Sequence, residues 1–403
     1  RDPEMSRGLG DVYKRQEEWD LNRLNMEADE MDHDAVVEIY QGICKQRNDA
    51  VGEVFVELVD VRNEIAKLNG YDNYAEYAYD AVYVRDYTLD ETRDLLKEIR
   101  KHVVPVMADM KDVLNDTDYM RLYSEGQGIE STSIIEQIGP YLEEIDPELK
   151  DTQEHFLKYR LYDMDTSQNK ANTAFTMRLS YFKDGFIYGQ MYDNYMDYYN
   201  VIHEFGHYNN VYRSADTFFE SSNNIDVSEI HSQGMQILFY DYYDELLGED
   251  IGDIYAFYDV YSMADNAIST ALISEFEIAA YENPDMTLEE LNKLYLQLSR
   301  RYGMQYDSKI KELYTWSEVP HIFTSPCYYF SYLTSAFSSL DILTMAEEDR
   351  HEAVETYMTL TTIPGYVPYC SAVEYAGLRD IFDDGVAQDI IEETASILGV
   401  KGY

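Results

Sequence analysis

The decapeptide VIHEFGHYNN, residues 201–210, places His203 and His207 four positions apart with Glu204 between them. In an α-helix, positions four apart lie about 40° apart around the axis, so both imidazoles project from one face. That geometry lets both reach a single zinc ion at about 2.0–2.1 Å. Glu204 sits about 100° round from His203, within reach of a water on the metal without being a ligand itself. Zinc lowers the pKa of such a water to about 7, and the carboxylate takes its proton as it attacks a carbonyl. These residues at this spacing therefore point to peptide-bond hydrolysis. The plain alternative is an ordinary core helix whose two histidines happen to share a face.

A catalytic zinc needs a third protein ligand and an open position. IDVSEIHSQGMQ, beginning at Ile225, is helical in pattern and carries Glu229. The chain between His207 and Glu229 is long enough for a loop and a return helix facing the first. Gly206 would let that second helix approach closely. Asp226 and His231 flank Glu229 and compete with it for the role.

The elements that must position these groups read as mostly α. From about residue 30, AVVEIYQGICKQRNDAVGEVFVELVDVRNEIAKLNG repeats apolar positions at three- and four-residue spacing and stops at Gly70. Thr88 and Asp90 each could cap the next helix, which Pro105 would kink. Residues 145–164 are again helical and acidic. The exception is TMRLSYFKDGFIYGQMYD, 176–193, which alternates β-favouring residues around Asp184-Gly185 and predicts a hairpin. Helices resume over 194–213, 226–247, 253–282 and 287–303, and again from 328 to 400. The division expected is a leader over 1–16, an N-terminal helical lobe over 17–175, incomplete at its start, and a zinc-binding region over 176–403.

Composition narrows the function classes. The 403 residues are 45% apolar and 14% aromatic, as befits a folded globular chain. Asp and Glu number 78 against 31 Lys and Arg, a net charge of −47. Such a surface repels phosphate backbones and anionic membranes, which argues against nucleic-acid binding. Cys44, Cys327 and Cys370 are scattered and imply neither a disulfide framework nor a thiolate zinc site. No apolar run reaches the roughly 18 residues that span a bilayer. GLGDVYKRQ, within residues 1–16, reads as a translated sequencing adapter fused to the gene, which leaves the native N-terminus and any targeting signal outside this sequence.

VIHEFGHYNN followed by VSEIHSQ resembles the thimet oligopeptidase and oligoendopeptidase F family of zinc peptidases. The family signature is HExGH and then a glutamate in an E-x-x-S-Q or E-x-x-S-T context, which Glu229 to Gln233 match. GYDNYAEYAYDAVYVRDYT at 70–88, ISEFEIAAYENPDMTLEELNKLYLQLSRRYG at 273–303 and WSEVPHIF at 316–323 extend the resemblance, as does GYVPYCSAVEYAGLRDIF. It covers roughly residues 30–400.

The resemblance implies a mostly α, two-lobed helical metallopeptidase with a deep substrate channel and a small β-sheet beside the zinc helix. It implies one zinc ion per chain on His203, His207 and Glu229, with Glu204 as general base. His321, Tyr332 and Tyr328 are the implied donors to the oxyanion. The strand FIYGQMY, 186–192, stands where the family pairs an edge strand with the substrate backbone, which makes Tyr188 and Gly189 substrate-binding candidates, with His231. Short peptides are the implied substrates. A bacterial source and a cytoplasmic location follow the same resemblance, with secretion left open.

Four features depart from the family pattern. Asn210 stands where a histidine is usual, Gln236 where a glutamate is usual, and Met191 in place of a common asparagine. The spacing from His321 to Tyr332 differs by one residue. A zinc-stabilised scaffold that binds peptides with little or no turnover is therefore the alternative. A third reading is an acidic, tyrosine-rich surface protein with an accidental HExxH.

Overall fold

In the computed structural model, residues 24, 31, 33–113, 116–126, 128–167, 169–171, 173–214, 225–304 and 310–403 are described. The leader expected over 1–16 lies outside them. The first long helix, α1 (His33–Leu68), buries Phe55, Val59 and Ala66 along one side. It stops at Gly70, whose φ of +92° suits a residue without a Cβ, while Tyr71 N–H returns to the Ala66 carbonyl.

Thr88, not Asp90, caps α2 (Leu89–Glu98). Its hydroxyl accepts the Glu91 N–H, and the Glu91 carboxylate accepts the Thr88 N–H in return. The helix then widens into a π-turn over Ile99–Val103 before α3 (Val104–Val113). The Val104 N–H reaches back to the Ile99 carbonyl across this turn, which keeps the chain helical where Pro105 lacks a donor.

Helix α4 (Pro147–Tyr159) starts on an Asp146 cap and ends where Arg160 turns left-handed at φ +52°. The helix expected to run to 164 is therefore cut short, and Tyr162–Asp163 form strand β1 instead. The hairpin follows as β2 (Ala174–Leu179) and β3 (Asp184–Gly189), antiparallel, with Ala174 opposite Gly189 and Leu179 opposite Asp184. Its turn is residues 180–183, with Lys183 at φ +52°, and not Asp184-Gly185. Asp184-Gly185 instead opens β3 and docks it. The Asp184 carboxylate accepts the Tyr208 hydroxyl at 2.9 Å, and a Cβ on Gly185 would sit 3.0 Å from the Tyr208 ring.

The strand order is β1-β3-β2, with β1 parallel to β3. The strand expected at the edge is therefore the middle one, both sides taken. Among the described residues, β2 is the edge strand on the other side of β3.

Next come α5 (Met196–Arg213), α6 (Ile225–Phe239) and α7 (Glu249–Glu282). They are followed by α8 (Leu288–Arg301), α9 (Phe330–Glu348), α10 (Arg350–Leu360) and α11 (Val386–Ile397). The helix α6 lies between α5 and α9 and is buried continuously from Ile230 to Phe239. The sheet packs on α5.

The boundary expected at 175/176 falls inside β2, and contacts cross it throughout. Arg62 on α1 donates to the Ile322 carbonyl at 2.8 Å, and Arg85 pairs with Asp226. One apolar cluster runs from Phe55 to Val400. Among the described residues no helix is long and apolar enough to cross a membrane.

Candidate metal centre

Two helices meet here almost backbone to backbone. A Cβ on Gly206 would lie 2.3 Å from the His231 carbonyl oxygen and 2.7 Å from Ser232 Cα, so only glycine allows this approach of α5 to α6. The approach turns Glu229 onto the face that carries the two histidines. Glu229 Oε2 lies 3.3 Å from His203 Nε2 and 3.2 Å from His207 Nε2. The donor atoms of all three lie within 4.8 Å of one another. Two imidazoles and a carboxylate at this separation fit one zinc ion, whose bonds to such atoms are about 2.0–2.2 Å.

Neighbouring groups fix each donor. Ser232 donates to Glu229 Oε2 at 3.0 Å. His203 Nδ1 lies 2.8 Å from Gln236 Oε1, which leaves Nε2 for the metal, and Tyr199 stacks on the His203 ring at 5.7 Å. Burial alone would raise Glu229, but the facing imidazoles hold it well below the usual carboxylate range. Burial alone would lower His203, but the hydrogen bond and charge of Glu229 bring it up to about 9.

The two competitors for the third position are placed elsewhere. Asp226 takes both Arg85 Nε and Nη2 at 3.0 Å and the Tyr87 hydroxyl at 2.8 Å, a buried ion pair outside the donor cluster. His231 is buried in the cleft wall and outside the donor cluster. Burial and the nearby His207 push it down to about 3, so its ring is neutral. Among the described residues its Nδ1 has no partner, and its carbonyl accepts the Tyr357 hydroxyl at 2.8 Å.

Glu204 is buried beside the cluster, and its Oε2 accepts the Thr176 hydroxyl at 2.8 Å. Thr176 belongs to β2, so the small sheet holds this carboxylate in place. Sequence reasoning missed Thr176. Its signal was a hydroxyl within the alternating strand that precedes the zinc helix. The cleft in front of these groups encloses about 590 Å³ and is lined on one side by Ala174, Phe175 and Thr176 of β2. Tyr332 and the Pro364-Gly365 loop line it as well.

His321 sits on the short helix Pro320–Thr324. Its ring stacks on Tyr328 at 5.4 Å and meets Tyr332 edge-on at 6.2 Å. The chain between them turns at Cys327, φ +62°, whose N–H donates to Glu277 at 3.0 Å. Burial pushes Tyr328 up to about 12 and Tyr332 higher still, so both keep their protons as donors. Burial also lowers His321, and among the described residues its enclosed Nδ1 has no partner. The structure thus joins the three in one aromatic cluster with Tyr332 in the cleft wall.

Tyr188 and Gly189 are not available as a substrate edge, because β3 is the middle strand. The Gly189 carbonyl accepts Lys170 Nζ at 2.9 Å, and a Cβ on Gly189 would sit 2.4 Å from the Met191 methyl. The Tyr188 hydroxyl accepts the Ala171 N–H at 3.1 Å, and its ring stacks on Phe175 at 5.1 Å. Asn210 donates to the Thr361 carbonyl at 3.2 Å, a tie between α5 and the loop that carries Pro364 and Gly365.

No protein-family model matches the chain, and no curated protein does. Solved structures do. PZ peptidase A, solved with an inhibitor, superposes with a TM-score of 0.78 at 23% identity, over 91% of this chain and 68% of that one. A structure assigned as oligoendopeptidase F gives a TM-score of 0.79 at 24% identity, over 92% of this chain and 68% of that one. A third, assigned as oligoendopeptidase F from Bacillus anthracis strain Ames, gives 0.73 at 23% identity, over 92% and 67%. At these identities the likeness is one of fold: this chain has the mostly helical fold of the oligoendopeptidase F structures.

Proposed function

We propose that this protein is a zinc-dependent oligopeptidase of the oligoendopeptidase F type that hydrolyses internal bonds of short peptides. The observation that carries the reading is the convergence of His203, His207 and Glu229 within 4.8 Å at the wall of a cleft that also holds Glu204. The fold shared with PZ peptidase A supports it.

His203, His207 and Glu229 would hold the zinc ion, which when bound supplies a Lewis acid that polarises a carbonyl and acidifies water. Glu204 does the proton work. Thr176 fixes its Oε2, so Oε1 takes the proton of the attacking water and passes it to the leaving amine. Tyr332 donates its O–H to the oxyanion that forms on the scissile carbonyl, with Tyr328 edge-on to its ring and the neutral His321 stacked behind. The outer side of β2, the edge strand that lines the cleft, takes the peptide backbone as an added strand, which reads main chain and so suits broad sequence preference. The neutral ring of His231 offers a further polar contact along the cleft.

Turnover of a quenched peptide library by wild type and by Glu204→Gln tests the assignment. The variant should retain zinc and lose activity by at least about 100-fold. Equal, slow cleavage by both proteins would overturn it.

A further inference from the structure

Behind His203 runs a buried chain of hydrogen bonds that the reaction itself does not require. His203 Nδ1 lies 2.8 Å from Gln236 Oε1, Gln236 Nε2 donates to Asp259 Oδ1 at 2.5 Å, and Tyr243 donates its hydroxyl to Asp259 Oδ2 at 2.7 Å. Gln236 and Asp259 are each 1% exposed, so water does not compete for these bonds. The chain also ties three parts of the molecule together: α5 through His203, α6 through Gln236 and α7 through Asp259.

The polarity of this chain follows from donor chemistry. A histidine that binds metal through Nε2 must carry its proton on Nδ1 and give it to an acceptor. A carboxylate in contact with the ring would enforce that by itself. Gln236 does not, because an amide turned over would present NH₂ to the ring and demand the opposite tautomer. Asp259 removes the ambiguity. An ionised carboxylate only accepts, so Gln236 must face it with Nε2 and must face His203 with Oε1. Tyr243 supplies a second donor to the carboxylate.

We propose that Asp259 is a positioning residue for the metal centre, acting through Gln236 to hold His203 in the tautomer whose Nε2 lone pair faces Glu229 and His207. It is a carboxylate–amide–imidazole relay, with the anion set one residue further out than in a direct carboxylate–histidine pair. The inference rests on the zinc reading above, and the test separates the two.

Zinc affinity is measured by competition with a chromophoric chelator. Burial pushes Asp259 up to about 7 against the donors Tyr243 and Gln236 that hold it down, so the work is done at about pH 8, where the carboxylate is ionised. Asp259→Asn, nearly isosteric, should weaken zinc binding about 10- to 100-fold, because its amide lets Gln236 turn over. Adding Gln236→Glu to that variant puts a carboxylate directly on His203 and should restore most of the affinity. In the zinc-loaded wild type, nitrogen-15 spectra should place the His203 proton on Nδ1.

Unchanged affinity in Asp259→Asn would overturn the relay. So would a loss that Gln236→Glu fails to recover, which marks a structural role alone, or a His203 proton found on Nε2. A wild type that binds no zinc would instead remove the metal reading, and the relay with it.

Discussion

Asp226 and Glu229 stand three residues apart on the same helix, and both are acids within reach of a zinc ligand's role by spacing alone. The structure sends them to opposite uses. Asp226 is closed into an ion pair with Arg85 and a hydrogen bond from Tyr87, and its backbone carbonyl accepts the hydroxyls of Thr334 and Ser335. Glu229 faces His203 and His207 and keeps one helix face open to the cleft. The helix supplies only the angular offset between the two. What decides their chemistry is the element that packs against each: the segment around Arg85 and α9 for Asp226, and α5 across the Gly206 contact for Glu229.

If that division holds, the two acids should fail in different ways. Glu229→Gln removes a ligand charge and should lower zinc affinity by more than about 100-fold, beyond the loss typical of an outer partner, while the urea midpoint of the metal-free protein falls less than in Asp226→Asn, because the imidazoles can shed their protons where the Arg85 guanidinium cannot. Asp226→Asn leaves the Arg85 guanidinium buried beside a neutral group, and should cost about 3–5 kcal/mol of unfolding free energy. Its folded fraction should still bind zinc within about threefold of wild type. A reversal of either result, read by chelator competition and urea unfolding together, would break the contrast. Gly206→Ala sharpens it at smaller cost: the added methyl meets the His231 carbonyl and should destabilise by about 1–3 kcal/mol. It should also lower zinc affinity, because the strain falls between the two ligand helices and not at Arg85.

The pairing of His203 with His207 was legible in the sequence because its geometry is local, whereas Glu229 stood apart from Asp226 and His231 only through the family resemblance. Two histidines four apart share a face in any helix, and Gly206 announced a close neighbour. The caps at Gly70 and Thr88 were legible for the same reason. What stayed hidden depends on distant partners. The middle position of β3 is set by β1, a two-residue strand with no pattern of its own, pairing Tyr162 with Ile187. Asp184-Gly185 reads as a turn locally, yet the ring of Tyr208 on α5 claims it for docking. Thr176 reveals its link to Glu204 only once β2 is laid against α5. Gln236 read as the loss of an expected carboxylate, and Asp259, which stands behind it, lies on a different helix.

The central claim is that three side chains from two helices, brought together at Gly206, make one zinc site. Metal analysis of the protein after stripping and reloading with zinc tests it most directly, in wild type and in a His203→Ala, His207→Ala double variant. One zinc ion retained per chain in wild type and none in the variant is the result this account predicts. Zinc absent from the reloaded wild type, or retained equally by the variant, would contradict it.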